Sequence, residues 1–223
     1  MRRIFSKILD ILFPKKCVYC AKKLDTQYEI CLCDECNKKA YIKYVSPRQF
    51  EKKFFEKMIC TMYYKGAQRK RFLKYKFSNL KYYKDTYASM IYEKIKDEKD
   101  YMSSFCITSV PLSKERLTER GYNQSGLIAN SLSNFVNIPY YDDMIIKIKN
   151  TKPLSKLTAK MRRKIVRGSY IFNENYDITG KNIILVDDIY TTGATINECS
   201  KILKMYGANA VYCACVFSAE FND

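Results

Sequence analysis

One stretch of this chain limits its fold more than any other. Asn182–Asp187 is an apolar run ending in an acid, and Asp188-Ile189-Tyr190-Thr191-Thr192-Gly193-Ala194-Thr195 follows directly. The run has the length and the branched residues of a strand buried on both faces. A small, hydroxyl-rich turn then opens a helical pattern over Ile196–Tyr206, closed by Gly207. In open α/β sheets, ligands collect at the carboxyl edge of such a strand. The turn and helix start offer unpaired backbone N–H groups and a positive dipole end, so a phosphate fits there. Hydroxyls of Thr191, Thr192 and Thr195 add donors. Asp187 and Asp188 would repel that phosphate, so their place is one step away, accepting hydrogen bonds from vicinal hydroxyls or holding Mg²⁺. A phosphate beside a diol is a ribose 5-phosphate.

The rest of the chain supports a sheet of this kind. Met58–Tyr64 reads as a strand, and a helical pattern follows through Phe72, Tyr75 and Leu80. Phe105–Val110 is a β-rich run ending at Pro111, and Gln124–Phe135 is helical by periodicity. Met144–Ile148 reads as a strand, Thr158–Ile165 as a short basic helix, and Ala210–Phe217 as a final apolar strand. Strands alternating with helices predict a parallel sheet with helices on both faces.

Five of the ten cysteines lie between Cys17 and Cys36, as Cys17-Val-Tyr-Cys20 and Cys31-Leu-Cys33-Asp-Glu-Cys36. Two C-x-x-C pairs a dozen residues apart have the spacing of a zinc ribbon, each turn giving two thiolates of a tetrahedron. Cys17, Cys20, Cys33 and Cys36 are the expected Zn²⁺ ligands, with Cys31 spare; Cys17, Cys20, Cys31 and Cys36 form the alternative set. The bland alternative is buried or disulfide-bonded cysteines. A stretch of about 20 residues with so little apolar content has no core of its own to bury them in. Cys199, Cys213 and Cys215 fall on the apolar scaffold and read as small core residues.

The expected organisation is therefore an N-terminal amphipathic helix over 1–16, a cysteine module over 17–40 and an α/β domain over 41–223. Ile4, Phe5, Ile8 and Leu12 share one face of the first helix, which is expected to dock on the protein; peripheral membrane association is its second reading. No segment approaches the roughly 18 apolar residues that span a bilayer, and the chain reads as cytoplasmic, with reduced thiols.

Composition narrows the chemistry. The chain has no histidine, which excludes Ser-His-Asp and Cys-His nucleophilic pairs, HExxH sites and Cys₂His₂ fingers. The formal charge is +17, from 40 Lys+Arg against 23 Asp+Glu, which fits an anionic partner or a genome-wide lysine bias. One basic stretch is interleaved with rings: Lys65, Arg69, Lys70, Arg71, Lys74 and Lys76 alternate with Phe72, Tyr75 and Phe77. Cations that track phosphates and rings that stack bases suit single-stranded DNA, with Lys65, Arg69, Arg71, Lys74 and Tyr75 as the candidate contacts. Core aromatics beneath a solvated helix face are the alternative.

Val186-Asp187-Asp188-Ile189-Tyr190-Thr191-Thr192-Gly193-Ala194-Thr195 resembles the phosphoribosyl pyrophosphate (PRPP) signature of type I phosphoribosyltransferases. The cysteine cluster, Tyr63-Tyr64-Lys65-Gly66, Lys74-Tyr75-Lys76-Phe77, Val110-Pro111-Leu112 with Arg116, and Arg120-Gly121-Tyr122-Asn123-Gln124 resemble, in order, the ComF (ComFC) family of competence-associated proteins. The resemblance implies a type I phosphoribosyltransferase-like domain behind a small zinc module. It implies that Asp187 and Asp188 bind the ribose hydroxyls and that Tyr190, Thr191, Thr192, Gly193, Ala194 and Thr195 hold the 5-phosphate. Pro111, Leu112, Lys114, Arg116 and Arg120 fall where the family binds pyrophosphate, and Lys114, Arg116 and Arg120 are the cations available there, with Mg²⁺ bridging. Residues 150–165 stand at the mobile flap, with Arg162 as a catalytic candidate beside Asp187 and Asp188. Thr151, Arg162 and Arg163 match the flap pattern, whereas Leu154 replaces its usual Gln and Ile165 its usual Asn. The implied role is PRPP binding in DNA uptake during natural transformation, among other competence proteins. An active transferase moving ribose 5-phosphate from PRPP to a nitrogen acceptor is the alternative.

Overall fold

The computed structural model describes residues 14–25, 30–40, 53–78, 80–149 and 159–219. The expected N-terminal helix, apart from residues 14–16, and the flap residues Thr151, Pro153 and Leu154 lie outside them. Among the described residues, no helix is long and apolar enough to cross a membrane.

Five strands form one parallel sheet: β1 (Lys57–Tyr63), β2 (Cys106–Ser109), β3 (Tyr140–Tyr141), β6 (Asn182–Tyr190) and β7 (Ala210–Ser218). Their spatial order is β1-β7-β6-β2-β3, and every neighbouring pair runs parallel. Alternation along β6 feeds two cores. Ile184 and Val186 enter one and Ile183 and Leu185 the other, as period-2 side chains on a doubly covered strand must. Helices α2 (Gly66–Phe77), α3 (Tyr83–Ile95) and α6 (Gln124–Val136) cover the first face through Phe72, Tyr75, Tyr87, Ile91, Ile128 and Leu132. Helix α8 (Ala194–Met205) covers the second through Ile196, Cys199 and Leu203. The expected doubly covered parallel sheet is present.

Two elements differ from expectation. The strand expected over Met144–Ile148 is β4 (Ile145–Lys147), and it leaves the main sheet to pair antiparallel with β5 (Tyr170–Phe172). Helix α3 had no counterpart in the sequence reading, although Tyr83, Tyr87, Met90 and Ile91 recur at helical spacing and are buried. Tyrosine-rich stretches with no side-chain cap mask that period.

Two short helices complete the frame: α4 (Lys99–Met102) and α5 (Lys114–Arg120). Ser113 caps α5 by accepting from Arg116 N–H, and Gly121 ends it at φ 73°, a left-handed position where a Cβ is disfavoured. The basic helix α7 (Ala159–Val166) carries Arg162 and Arg163.

The cysteine module does not stand apart. Cys17, Val18, Leu24 and Leu32 are buried in the same core as Tyr83, Tyr87 and Ile91. Cys31 N–H donates to Thr86 Oγ1 on α3 at 2.7 Å. The module thus borrows the domain's core, which the low local apolar content did not anticipate. Helix α1 (Asp34–Ala40) closes it.

Candidate functional site

Strands β6 and β2 end side by side, and their carboxyl edge opens into a cavity of about 370 Å³. Asp187, Asp188, Thr191 and Thr195 line it from β6 and the start of α8. Pro111, Leu112, Arg116 and Arg120 line it from the segment after β2. The structure therefore brings together the residues read as a ribose phosphate site and as a pyrophosphate site. Gly193 adopts φ 64° as the N-cap of α8, a left-handed turn that aims the helix start back at the cavity.

The two acids are held differently. Asp187 Oδ1 accepts from Ser125 Oγ at 3.0 Å and from Asp188 N–H at 2.8 Å. Burial, and then the neighbouring Asp188 charge, push its carboxyl up to about 7, as expected for paired acids out of water. Asp188 Oδ2 instead meets Lys76 Nζ at 2.7 Å, with the two side chains only 14% and 15% exposed. Lys76 comes from α2, within the basic stretch whose sequence suits either single-stranded DNA or a solvated helix face.

Arg120 Nη1–H donates to Gln124 Oε1 at 2.9 Å, and its guanidinium lies 5.1 Å from the Phe77 ring centroid. Its Nε is buried and meets no acceptor among the described residues, a donor left over for a ligand. Lys147 on β4 and Tyr170 on β5 also line the cavity, with the ammonium 5.3 Å from the ring centroid. Burial lowers the Lys147 ammonium, Arg116 adds to that, and Asp187 opposes it.

Six expected site residues stand elsewhere. The Tyr190 side chain is buried in the second core, so its backbone, not its ring, belongs to the loop. Lys114 is exposed on the first turn of α5 and does not line the cavity. Neither do Thr192, Gly193 and Ala194, which build the turn behind Thr191 and Thr195; Gly193 and Ala194 are buried. Tyr75 is fully buried, its ring centroid 5.3 Å from that of Tyr87, so it is not a surface platform for bases. Lys65, Arg69, Lys70 and Lys74 are exposed along α2 or just ahead of it, and Arg71 is half-buried. Phe77, at 61% exposure, is the ring this surface offers.

Sequence reasoning missed Lys76, Ser125, Lys147 and Tyr170 as cavity residues. Ser125 opens the helix after the Arg120–Asn123 motif, a legible position. Lys147 and Tyr170 reach the cavity only because β4 and β5 pair, and no local pattern announces that.

The thiols of Cys17, Cys20, Cys33 and Cys36 lie within 4.8 Å of one another. Cys20 and Cys33 Sγ are 3.7 Å apart. Tetrahedral Zn²⁺ with bonds of about 2.3 Å places its sulfurs about 3.8 Å apart, so this set fits that ion. The backbone N–H of Lys22 also points at Cys20 Sγ, at 3.5 Å. Cys31 lies outside the cluster, its thiol pushed up to about 11 by burial.

A family model described as "Phosphoribosyl transferase domain" matches residues 122–220. Competence protein F of Haemophilus influenzae is 29% identical over 161 residues, 70% of each chain. Competence protein ComFC of Bacillus subtilis is 36% identical over 106 residues, 48% of this chain and 41% of its own length. The chain resembles the ComF family of competence proteins. The DNA utilization protein YhgH of Escherichia coli K12 is 32% identical to this chain over 111 residues, 49% of the chain and 48% of that protein. The match thus spans about half the length of the Escherichia and Bacillus relatives. In this protein β1, β2 and helices α2 to α5 precede the stretch matched by the phosphoribosyl transferase model, yet β1 and β2 are strands of the same sheet.

Proposed function

We propose that the protein binds PRPP with Mg²⁺ in the cavity at the end of β6, and that it acts in DNA uptake during natural transformation. The observation that carries the first part is the convergence of Asp187, Asp188, Thr191 and Thr195 with Arg116 and Arg120 around one cavity. Thr191, Thr195 and the start of α8 suit the 5-phosphate. The carboxylates suit the ribose hydroxyls, and the unpaired Arg120 Nε suits an anionic oxygen. Asp187, whose carboxyl is pushed up by burial and the neighbouring Asp188 charge, also suits a divalent cation, which would replace its proton. Mg²⁺, when bound, supplies charge neutralisation of the pyrophosphate group. Titration calorimetry of PRPP with Mg²⁺ should give saturable heat that Asp187→Ala with Asp188→Ala abolishes. Unchanged heat in the double variant would refute the site.

The role in DNA uptake rests on the family, whose Haemophilus and Bacillus members are named competence proteins. The outer side of α2 supports a direct contact with single strands. Lys65, Arg69 and Lys74 are exposed along α2 or just ahead of it, and so is Phe77 at its end; cations that track phosphates and rings that stack bases suit such a contact. Arg69 lies 5.9 Å from the Tyr64 ring centroid and Lys65 5.4 Å from that of Tyr63, so neighbouring rings help fix these cations. Transformation of a deletion strain, complemented with wild type, the acid-pair variant or an Arg69→Glu, Lys74→Glu variant, tests both parts together. Full complementation by both variants would sink the proposal.

A further inference from the structure

The Lys76–Asp188 pair differs from the other ion pairs among the described residues. Those others involve side chains 24–48% exposed, where such contacts contribute little. Lys76 and Asp188 are 15% and 14% exposed, and taking both charges out of water is costly unless something beyond stability retains them. Both line the cavity. Three hydrogen bonds fix this end of α2 against the start of α6. Tyr75 Oη–H donates to Gln124 O at 3.1 Å, Tyr122 Oη–H donates to Tyr75 O, and Gln124 Nε2–H reaches Lys76 O at 3.5 Å. Gln124 is fully buried and also holds Arg120. One glutamine thus joins the two cations from α2 and α5. Lys76 lies outside residues 122–220, so the domain match alone gives no hint of it.

We infer that Lys76 is an internal counter-ion of the cavity: it neutralises Asp188 in the free protein, yields the carboxylate when a diol or a divalent cation takes it, and then turns its ammonium to the ligand's phosphate oxygens. This rests on the proposed phosphoribosyl site and adds to it a residue from outside the matched domain. A lysine suits the task because its charge rides on a flexible four-carbon stem. The exchange also keeps the cavity near charge balance, since a cation arriving at Asp188 releases another beside an anionic ligand.

The test uses the full chain and two probes, Mn²⁺ alone, followed by electron paramagnetic resonance, and PRPP in chelator, followed by calorimetry. Lys76→Met should bind Mn²⁺ at least about fivefold more tightly than wild type, because the competitor is gone. It should bind metal-free PRPP at least about fivefold more weakly, because a phosphate partner is gone, and Lys76→Arg should retain the PRPP affinity. Should the Met variant fold poorly, the wild-type protein gives a second reading. Saturating Mn²⁺ should raise acetylation of Lys76 by acetic anhydride, scored by mass spectrometry against exposed Lys70. Wild-type titrations in Lys76→Met, or unchanged labelling of Lys76, would overturn the inference while leaving the site intact. Absence of PRPP binding by wild type with Mg²⁺ would overturn the site reading, and this inference with it.

Discussion

Asp187 and Asp188 are chain neighbours with different work. Asp188 has a lysine partner, while Asp187 has only a hydroxyl and an amide. Its raised pKa makes it a destabilising group once ionised. An unfolded aspartate titrates near about 3.9, so the folded state loses stability as pH rises from there through about 7 and levels off above. Asp187→Asn is expected to match wild type near pH 4 and to melt several degrees higher at pH 8, read by thermal unfolding across that range. An opposite trend would remove the burial account. Gly126 carries a second residue-scale prediction. A Cβ there would stand 2.9 Å from Tyr140 Oη, whose hydroxyl is tied to Ser109 Oγ at 3.0 Å. Gly126→Ala should cost about 1–3 kcal/mol in urea unfolding, and Tyr140→Phe should recover part of it. At this scale the paired acids and the two threonines were legible, because their chemistry is stated by residue type. Tyr190 and Tyr75 were not, because only tertiary packing decides which side of a strand or helix a tyrosine ring faces.

The element that joins the site to the proposed DNA surface is α2. Its inner side is a cluster of rings: Phe72 lies 4.7 Å from Phe217 on β7 and 5.6 Å from Tyr87 on α3, centroid to centroid. Phe72 is completely buried, and Phe72→Ala is expected to cost about 3–5 kcal/mol, measured by denaturant unfolding. The outer side should behave oppositely. Arg69→Glu with Lys74→Glu should change stability by no more than about 0.5 kcal/mol per site. It should weaken single-stranded DNA binding and flatten its dependence on salt, read by fluorescence anisotropy at several ionic strengths. Periodicity revealed the long elements, including β6, β7, α6 and α8, because each has an unbroken apolar stripe. It could not show that β4 and β5 form a ladder of their own, since pairing partners 25 residues apart leave no local mark, as Ile146 opposite Ile171 illustrates.

At the scale of the molecule, the cysteine module and the domain share one core. Metal binding should therefore be felt by the whole fold and not by the module alone. Metal removal by a chelator, or Cys33→Ser, is expected to lower the temperature of a single calorimetric transition. A separate low-temperature transition, with the main one unmoved, would show that the module melts alone. The parallel sheet has a consequence in time as well as in space. Strand β7 sits between β1 and β6, and it sets Cys60 opposite Cys215. On the ribosome, β1 emerges with no partner until more than 150 further residues have been made, at about 5–20 residues per second. For those seconds its apolar strand and the rings of α2 are exposed to whatever else is present, a hazard of long-range pairing. Nascent chains of this protein should therefore be clients of holding chaperones until Ala210–Ser218 has left the exit tunnel.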